Sequence, residues 1–215
     1  MPGFVDGVGR FQRDVYPEHQ ALFEKLDHGQ SPEVLFIGCA DSRVDPSMIT
    51  NTLPGELFVC RNAGNIVPPY TETSDGMAAS IEYAMTILKV PHIVVCGHSQ
   101  CGAMNGALAP EGLTSLPRVQ DWLGHCEEAV ELAREFTSAD TSRSKLDTLI
   151  EQNVLLQLRH LQTHPSVNAA VAAGNVELHG WVYEIKTGIV KAYDENRKTF
   201  LPIGDKEADT NNPRA

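Results

Sequence analysis

Three short apolar runs, each ending on glycine or cysteine, constrain the fold of this chain more than any other feature. They are Glu33-Val34-Leu35-Phe36-Ile37-Gly38-Cys39, Glu56-Leu57-Phe58-Val59-Cys60 and His92-Ile93-Val94-Val95-Cys96-Gly97. None alternates polar with apolar. A strand with one wet face would alternate, so these runs suit strands buried on both faces, as in a parallel sheet. Between the second and third runs, residues 74–88 carry Met77, Ile81, Met85 and Leu88 at helical spacing. Strand, helix and strand with short connections read as a βαβ unit.

The rest of the pattern extends this frame. Residues 10–27 place Phe11, Val15, Leu22, Phe23 and Leu26 near one helical face, interrupted at Pro17, which removes a backbone donor. Helices are expected over 118–136, 144–162 and 167–173, the last ended by Gly174. Residues 176–185 and 189–193 read as a hairpin about Lys186-Thr187-Gly188. The expected fold class is α/β: a central, mostly parallel β-sheet flanked by helices, Rossmann-like, with an N-terminal helical arm. One domain is expected over 1–203, with residues 1–30 as the arm and 204–215 as a frayed tail.

Composition removes several functions. With 215 residues, 42% of them hydrophobic, the chain can bury one sizeable core. A net charge of −11 disfavours a nucleic-acid partner. No apolar run is long enough for a membrane span, and the N-terminus lacks the basic start and apolar stretch of a secretory signal. The cysteines Cys39, Cys60, Cys96, Cys101 and Cys126 are odd in number, which fits a reducing compartment better than a disulfide framework. The expected location is cytoplasmic, a removed organelle-targeting segment being compatible with it.

Chemistry concentrates in two segments that follow buried-strand runs: Cys39-Ala40-Asp41-Ser42-Arg43 and His98-Ser99-Gln100-Cys101-Gly102. Ligand sites of open α/β sheets gather at the carboxyl ends of strands, so the two can converge. Two thiolates and an imidazole favour tetrahedral zinc. Three protein ligands leave a fourth position for water or a carboxylate. Zinc neutralised by two thiolates is a weaker Lewis acid than zinc on three histidines. Asp41 would therefore accept a hydrogen bond from zinc-bound hydroxide and aim it at a carbon electrophile. Arg43 would hold Asp41 ionised through a two-pronged bond. Cys60, Cys96 and Cys126 read as small buried hydrophobes. His19, His28, His92, His125, His160, His164 and His179 read as surface or hydrogen-bonded residues.

At these residues the chain resembles the β-class carbonic anhydrases. The likeness lies in CADSR at Cys39–Arg43, FVCRNAGNIVPPY at Phe58–Tyr70, SIEYA at Ser80–Ala84 and HSQCGA at His98–Ala103. It continues more weakly through LHGWVYEIKTG at Leu178–Gly188. The resemblance implies reversible hydration of carbon dioxide to bicarbonate and a proton, with one zinc per subunit on Cys39, His98 and Cys101. It implies that Asp41 and Arg43 form the catalytic pair, and that Gln30, Phe58, Tyr83 and Gly102 bind substrate. It also implies a homodimer or a dimer-based tetramer. Some members silence themselves when the aspartate moves onto zinc beside a Trp-Arg-Tyr bicarbonate site. Arg61 and Tyr183 match two of those positions, but Phe36 stands where the tryptophan would be and has no indole donor. The open form, with water in the fourth position, is therefore expected. Rival readings are a carbonyl sulfide or carbon disulfide hydrolase on the same scaffold, or a non-catalytic zinc domain closed by Asp41. A thiol redox protein is disfavoured by the lack of a C-x-x-C pair.

Overall fold

A computed structural model describes residues 3–71, 75–139 and 144–204. Its contacts divide the chain into an N-terminal unit, residues 1–31, and a larger unit from residue 32 onward. The N-terminal unit contains helices α1 (Gly3–Arg10) and α2 (Gln20–Leu26), separated by a π-helical turn, Phe11–Val15, and a 3-10 turn, Tyr16–His19. The interruption expected at Pro17 is there. Proline lacks an amide hydrogen and its ring crowds the carbonyl one turn back, so the helix widens and then tightens around it. Tyr16 stacks on Phe23 at 5.2 Å between ring centroids, with Phe11 edge-on to both.

The larger unit is built on a six-stranded sheet in the order β2-β1-β3-β4-β5-β6. The strands are β1 (Val34–Cys39), β2 (Leu57–Asn62), β3 (His92–His98), β4 (Glu177–Tyr183), β5 (Val190–Asp194) and β6 (Thr199–Pro202). The first four are mutually parallel, and β5 and β6 add on antiparallel. The first and third runs occupy the sheet interior, where Leu35, Phe36, Ile37, Ile93 and Val95 are fully buried. The second, also expected to be covered on both faces, is instead the edge strand β2, none of whose residues is fully buried and whose Val59 is exposed. The strand expected at 176–185 is present as the shorter β4, and its hairpin mate, expected at 189–193, as β5, shifted by one residue. Only Gly204 of the expected frayed tail lies within the described residues.

Helices α3 (Pro46–Thr50), α4 (Gly76–Tyr83), α5 (Gly102–Leu108), α6 (Pro117–Leu123), α7 (Glu127–Ala139), α8 (Lys145–Thr163) and α9 (Pro165–Ala172) complete the unit. Asp75 caps α4 by accepting from the amides of Met77 and Ala78. A single helix was expected over 118–136, but the chain breaks into α6 and α7 at a 3-10 turn, Gly124–Cys126. Helix α8 lies closely over β3 and β4 because glycine faces it at both. A Cβ at Gly97 would come within 2.9 Å of Val154, and one at Gly180 within 3.0 Å of Val154 and Leu158.

Helix α8 also carries two buried amide side chains, Asn153 and Gln157. Gln157 Nε2 donates to Asn153 Oδ1 at 2.9 Å, Asn153 Nδ2 donates to the Gly64 carbonyl at 3.0 Å, and Gln157 Oε1 accepts from the Val67 amide at 2.8 Å. They supply the loop after β2 with partners it cannot find within itself. Gln157→Leu is expected to destabilise the protein by about 1–3 kcal/mol for each group left unpaired, the Val67 amide and the Asn153 oxygen. Urea unfolding of the variant beside the wild type measures this, and equal midpoints would contradict it.

Candidate metal centre

The ends of β1 and β3 bring the two sequence segments together. Cys39 is the last residue of β1 and His98 the last of β3. Beyond His98 the chain turns at Gln100, whose φ of 55° is left-handed, and returns Cys101 to the start of α5. All three residues are buried. One donor atom from each of Cys39, His98 and Cys101 lies within 4.8 Å of the other two.

The donor atoms of this triad suit a cation. His98 Nδ1 lies 3.0 Å from the Ser99 carbonyl, the kind of outer partner that fixes a ligating histidine's tautomer. Its other nitrogen, Nε2, is buried with no hydrogen-bond partner among the described residues. Such a group is costly unless something else satisfies it. The Cys39 thiol is pulled down to about 4, first by its hydrogen bond with Cys101 and then by His98 and the Gly64 amide, against the opposing effect of burial. The same interaction with Cys39 pushes Cys101 up. Two buried sulfurs beside an unpartnered imidazole nitrogen are a fitting donor set for zinc.

Asp41 stands beside the donors, its Oδ2 3.9 Å from His98 Nε2. Arg43 grips it with both prongs: Nε to Oδ1 at 2.9 Å and Nη2 to Oδ2 at 2.7 Å, while the Arg43 amide also donates to Oδ1 at 3.0 Å. The hydrogen bonds from Arg43 hold the Asp41 carboxyl well below the usual carboxylate range, so it is ionised at neutral pH. Arg43 is itself anchored by donating to the Gln100 carbonyl at 3.1 Å.

Sequence reasoning missed two supports. Arg61 donates to the Cys39 carbonyl at 2.9 Å and the Asp41 carbonyl at 2.7 Å, clamping the backbone between ligand and carboxylate. The Gly64 amide points at Cys39 Sγ, 3.4 Å away. Its loop is held by the mutual bonds of Asn62 with Ile66 and by Asn153. The available signal was the Asn153-Gln157 pair, one turn apart on an otherwise apolar helix face.

The candidate substrate residues are more scattered. Gly102 opens α5 next to Cys101 and is exposed. Phe58 and Tyr83 meet each other, ring centroids 5.9 Å apart. However, β2 pairs Phe58 with Leu35, four positions before Cys39 and so about 13 Å back along the strand. Gln30 is exposed near the end of the N-terminal unit. Phe36 is fully buried and packs edge-on against Trp181. Of the cysteines read as core residues, Cys96 and Cys126 are buried and Cys60 is half-buried. Burial pushes the Cys96 thiol up to about 12 and that of Cys126 up to about 11.

Residues 34–190 match the family model described as carbonic anhydrase. A carbonic anhydrase of Pseudomonas aeruginosa is 46% identical over 207 residues, covering 95% of this chain and 93% of that protein. Among solved structures, the β-carbonic anhydrase CcaA is 42% identical with a TM-score of 0.87, over 93% of this chain and 97% of the other. A structure from a study of two tetrameric β-carbonic anhydrases of Sordaria macrospora is 34% identical with a TM-score of 0.71, over 88% and 91%.

Proposed function

The chain belongs to the β-class carbonic anhydrases, and on that premise we propose that Cys39, His98 and Cys101 hold one zinc ion per chain beside a working pair of Asp41 and Arg43. The reaction is the zinc-dependent reversible hydration of carbon dioxide to bicarbonate and a proton. The observation that carries the metal assignment is the buried, unpartnered His98 Nε2 among two thiol sulfurs.

Zinc held there supplies Lewis acidity and an activated water near neutral pH. The orientation of that chemistry falls to side chains. Asp41, ionised and fixed by Arg43, can only accept hydrogen bonds, so it directs a lone pair of the nucleophile away from itself and toward the substrate carbon. Arg43 and Arg61 keep the carboxylate and its backbone from drifting, which matters because small misplacements of reacting groups are costly. Carbon dioxide is uncharged, so an apolar wall with a few polar groups suits it. Gln30 would supply an amide donor and Gly102 close backbone approach, while Phe58 and Tyr83, set back from Cys39 of their own chain, would line the wall of a site shared between subunits. The two-pronged grip of Arg43 on Asp41, with Phe36 lacking an indole donor, supports water rather than Asp41 in the fourth zinc position. A crystal structure at pH 8 with Asp41 bonded to zinc would reverse that reading.

An oligomer, a homodimer or a dimer-based tetramer, completes the proposal. No residue of α1 is buried, and Phe4 and Val8 are 77% and 55% exposed. An amphipathic helix with an uncovered apolar stripe is suited to cover by another chain. A sedimentation profile at the monomer mass alone would reject it. No described helix is long and apolar enough to cross a membrane. All five cysteines are free, which supports a reducing compartment, the cytoplasm, as the place of action.

Stopped-flow hydration of carbon dioxide from pH 7 to 9, beside a zinc assay, tests the function. Zinc near one per chain with rapid hydration is expected. Zinc without hydration would leave only a binding role, and much faster release of hydrogen sulfide from carbonyl sulfide would favour the hydrolase reading.

A further inference from the structure

Strand β3 carries a histidine at each end. His98 belongs to the centre described above. His92, the first residue of the strand, meets a second donor cluster that the reaction does not use. The β3–β4 register sets His92 opposite Glu177 and Val94 opposite His179. Alternation then turns all three of His92, Glu177 and His179 to the same sheet face. The strand is seven residues long, so the cluster lies about 20 Å from the Cys39-His98-Cys101 centre.

The donor spacing is that of a coordination sphere. His179 Nε2 lies 3.2 Å from His92 Nδ1, and Glu177 Oε2 lies 3.9 Å from each nitrogen. A point equidistant from three atoms so spaced lies about 2.1 Å from each, the length of a zinc–imidazole or zinc–carboxylate bond. The histidines are half-buried and Glu177 is exposed. A cleft of about 450 Å³ adjoins Glu177 and His179, and the partial exposure of both histidines with the exposure of Glu177 leaves the donors open to solvent.

The geometry points to a second divalent-metal site on this chain, formed by His92, Glu177 and His179. Two imidazoles and one carboxylate favour a borderline ion such as Zn²⁺ or Ni²⁺ over Mg²⁺ or Ca²⁺, with the remaining positions open to water. The ion would join the first turns of two neighbouring strands whose histidines are 87 residues apart in sequence. The alternative is a hydrogen bond between the two rings with a nearby carboxylate, which needs no metal.

The test uses untagged protein already loaded with zinc, dialysed against NiCl₂, with nickel and zinc both counted per chain. One nickel per chain, bound without release of zinc, is the expected result, with a rise in Tm. Removing a ligand costs at least as much as removing a group that only orients one, so His92→Ala and His179→Ala should each weaken nickel binding by about 10–100-fold or more. The Tm rise should vanish with them. Glu177→Gln changes an exposed side chain and should weaken binding while leaving the fold intact. Unchanged carbon dioxide hydration in all three variants would show that the fold and the first centre survive. No second ion, nickel taken up only in exchange for zinc, or second-ion binding indifferent to all three substitutions would each overturn the site.

Discussion

Cys101→Ala is expected to leave a folded protein that neither retains zinc nor hydrates carbon dioxide. Cys101 supplies one of the three donors of this centre that lie within 4.8 Å of one another among the described residues, and the two that would remain cannot fill a tetrahedral zinc site. Zinc per chain, measured after dialysis against a mild chelator, should fall well below one. Hydration should drop by about 10⁴-fold or more, because accelerations of about 10⁶ or greater depend here on the metal. The alanine removes a single sulfur from a buried position, so loss of packing should be small beside loss of the metal. Circular dichroism matching that of zinc-stripped wild type would separate the two. A variant that kept one zinc per chain and near-native turnover would remove Cys101 from the centre.

The second large effect concerns the carboxylate. Asp41→Asn keeps the shape of the side chain but replaces one acceptor oxygen with an amide that points hydrogens at Arg43. One prong of the 2.9 Å and 2.7 Å pair becomes a donor facing a donor, and the negative charge is gone. The side chain can then no longer be relied on to accept from the nucleophile. Such positioned groups typically contribute 10²–10⁴-fold, so kcat/KM should fall by about 10²-fold or more. Zinc content should stay at one per chain, because Asp41 lies outside the donor triad. Thermal stability should change little, since Arg43 is largely exposed and exposed ion pairs contribute little. Arg43→Lys offers an internal check: lysine can make only one of the two bonds, so its activity should fall between wild type and Asp41→Asn. Native turnover in Asp41→Asn would sink the Asp41-Arg43 pair as the orienting device.

Much of the fold was legible because its strands are unusually plain. Runs such as Val34–Cys39 and His92–His98 lack alternation because both faces are covered, and that is a local property of the sequence. Short elements left weaker traces. Helix α3 has five residues and β6 four, too few for a periodic pattern to develop. The break between α6 and α7 escaped notice for a different reason: its apolar stripe continues in phase from Leu123 through Cys126 to Val130, all buried, so periodicity cannot register the 3-10 turn at Gly124. Helix α5 left little trace because it is seven residues long and two of them, Gly102 and Gly106, are poor helix formers.

By itself, the sequence determined the residue types that can bind a soft-to-borderline cation and the strands that end on them. It placed Cys39 and His98 at strand termini, and the aspartate and arginine two and four residues beyond Cys39. Only the tertiary structure decided what those residues meet. The turn at Gln100, the clamp of Arg61 on the Cys39 and Asp41 carbonyls, and the docking of Asn153 against Gly64 bring together groups far apart in the chain. So does the meeting of His92 with His179 at the other end of β3. Those contacts depend on strand register and on how closely α8 rests on Gly97 and Gly180. Register and helix docking are fixed by long-range packing, which no local pattern encodes.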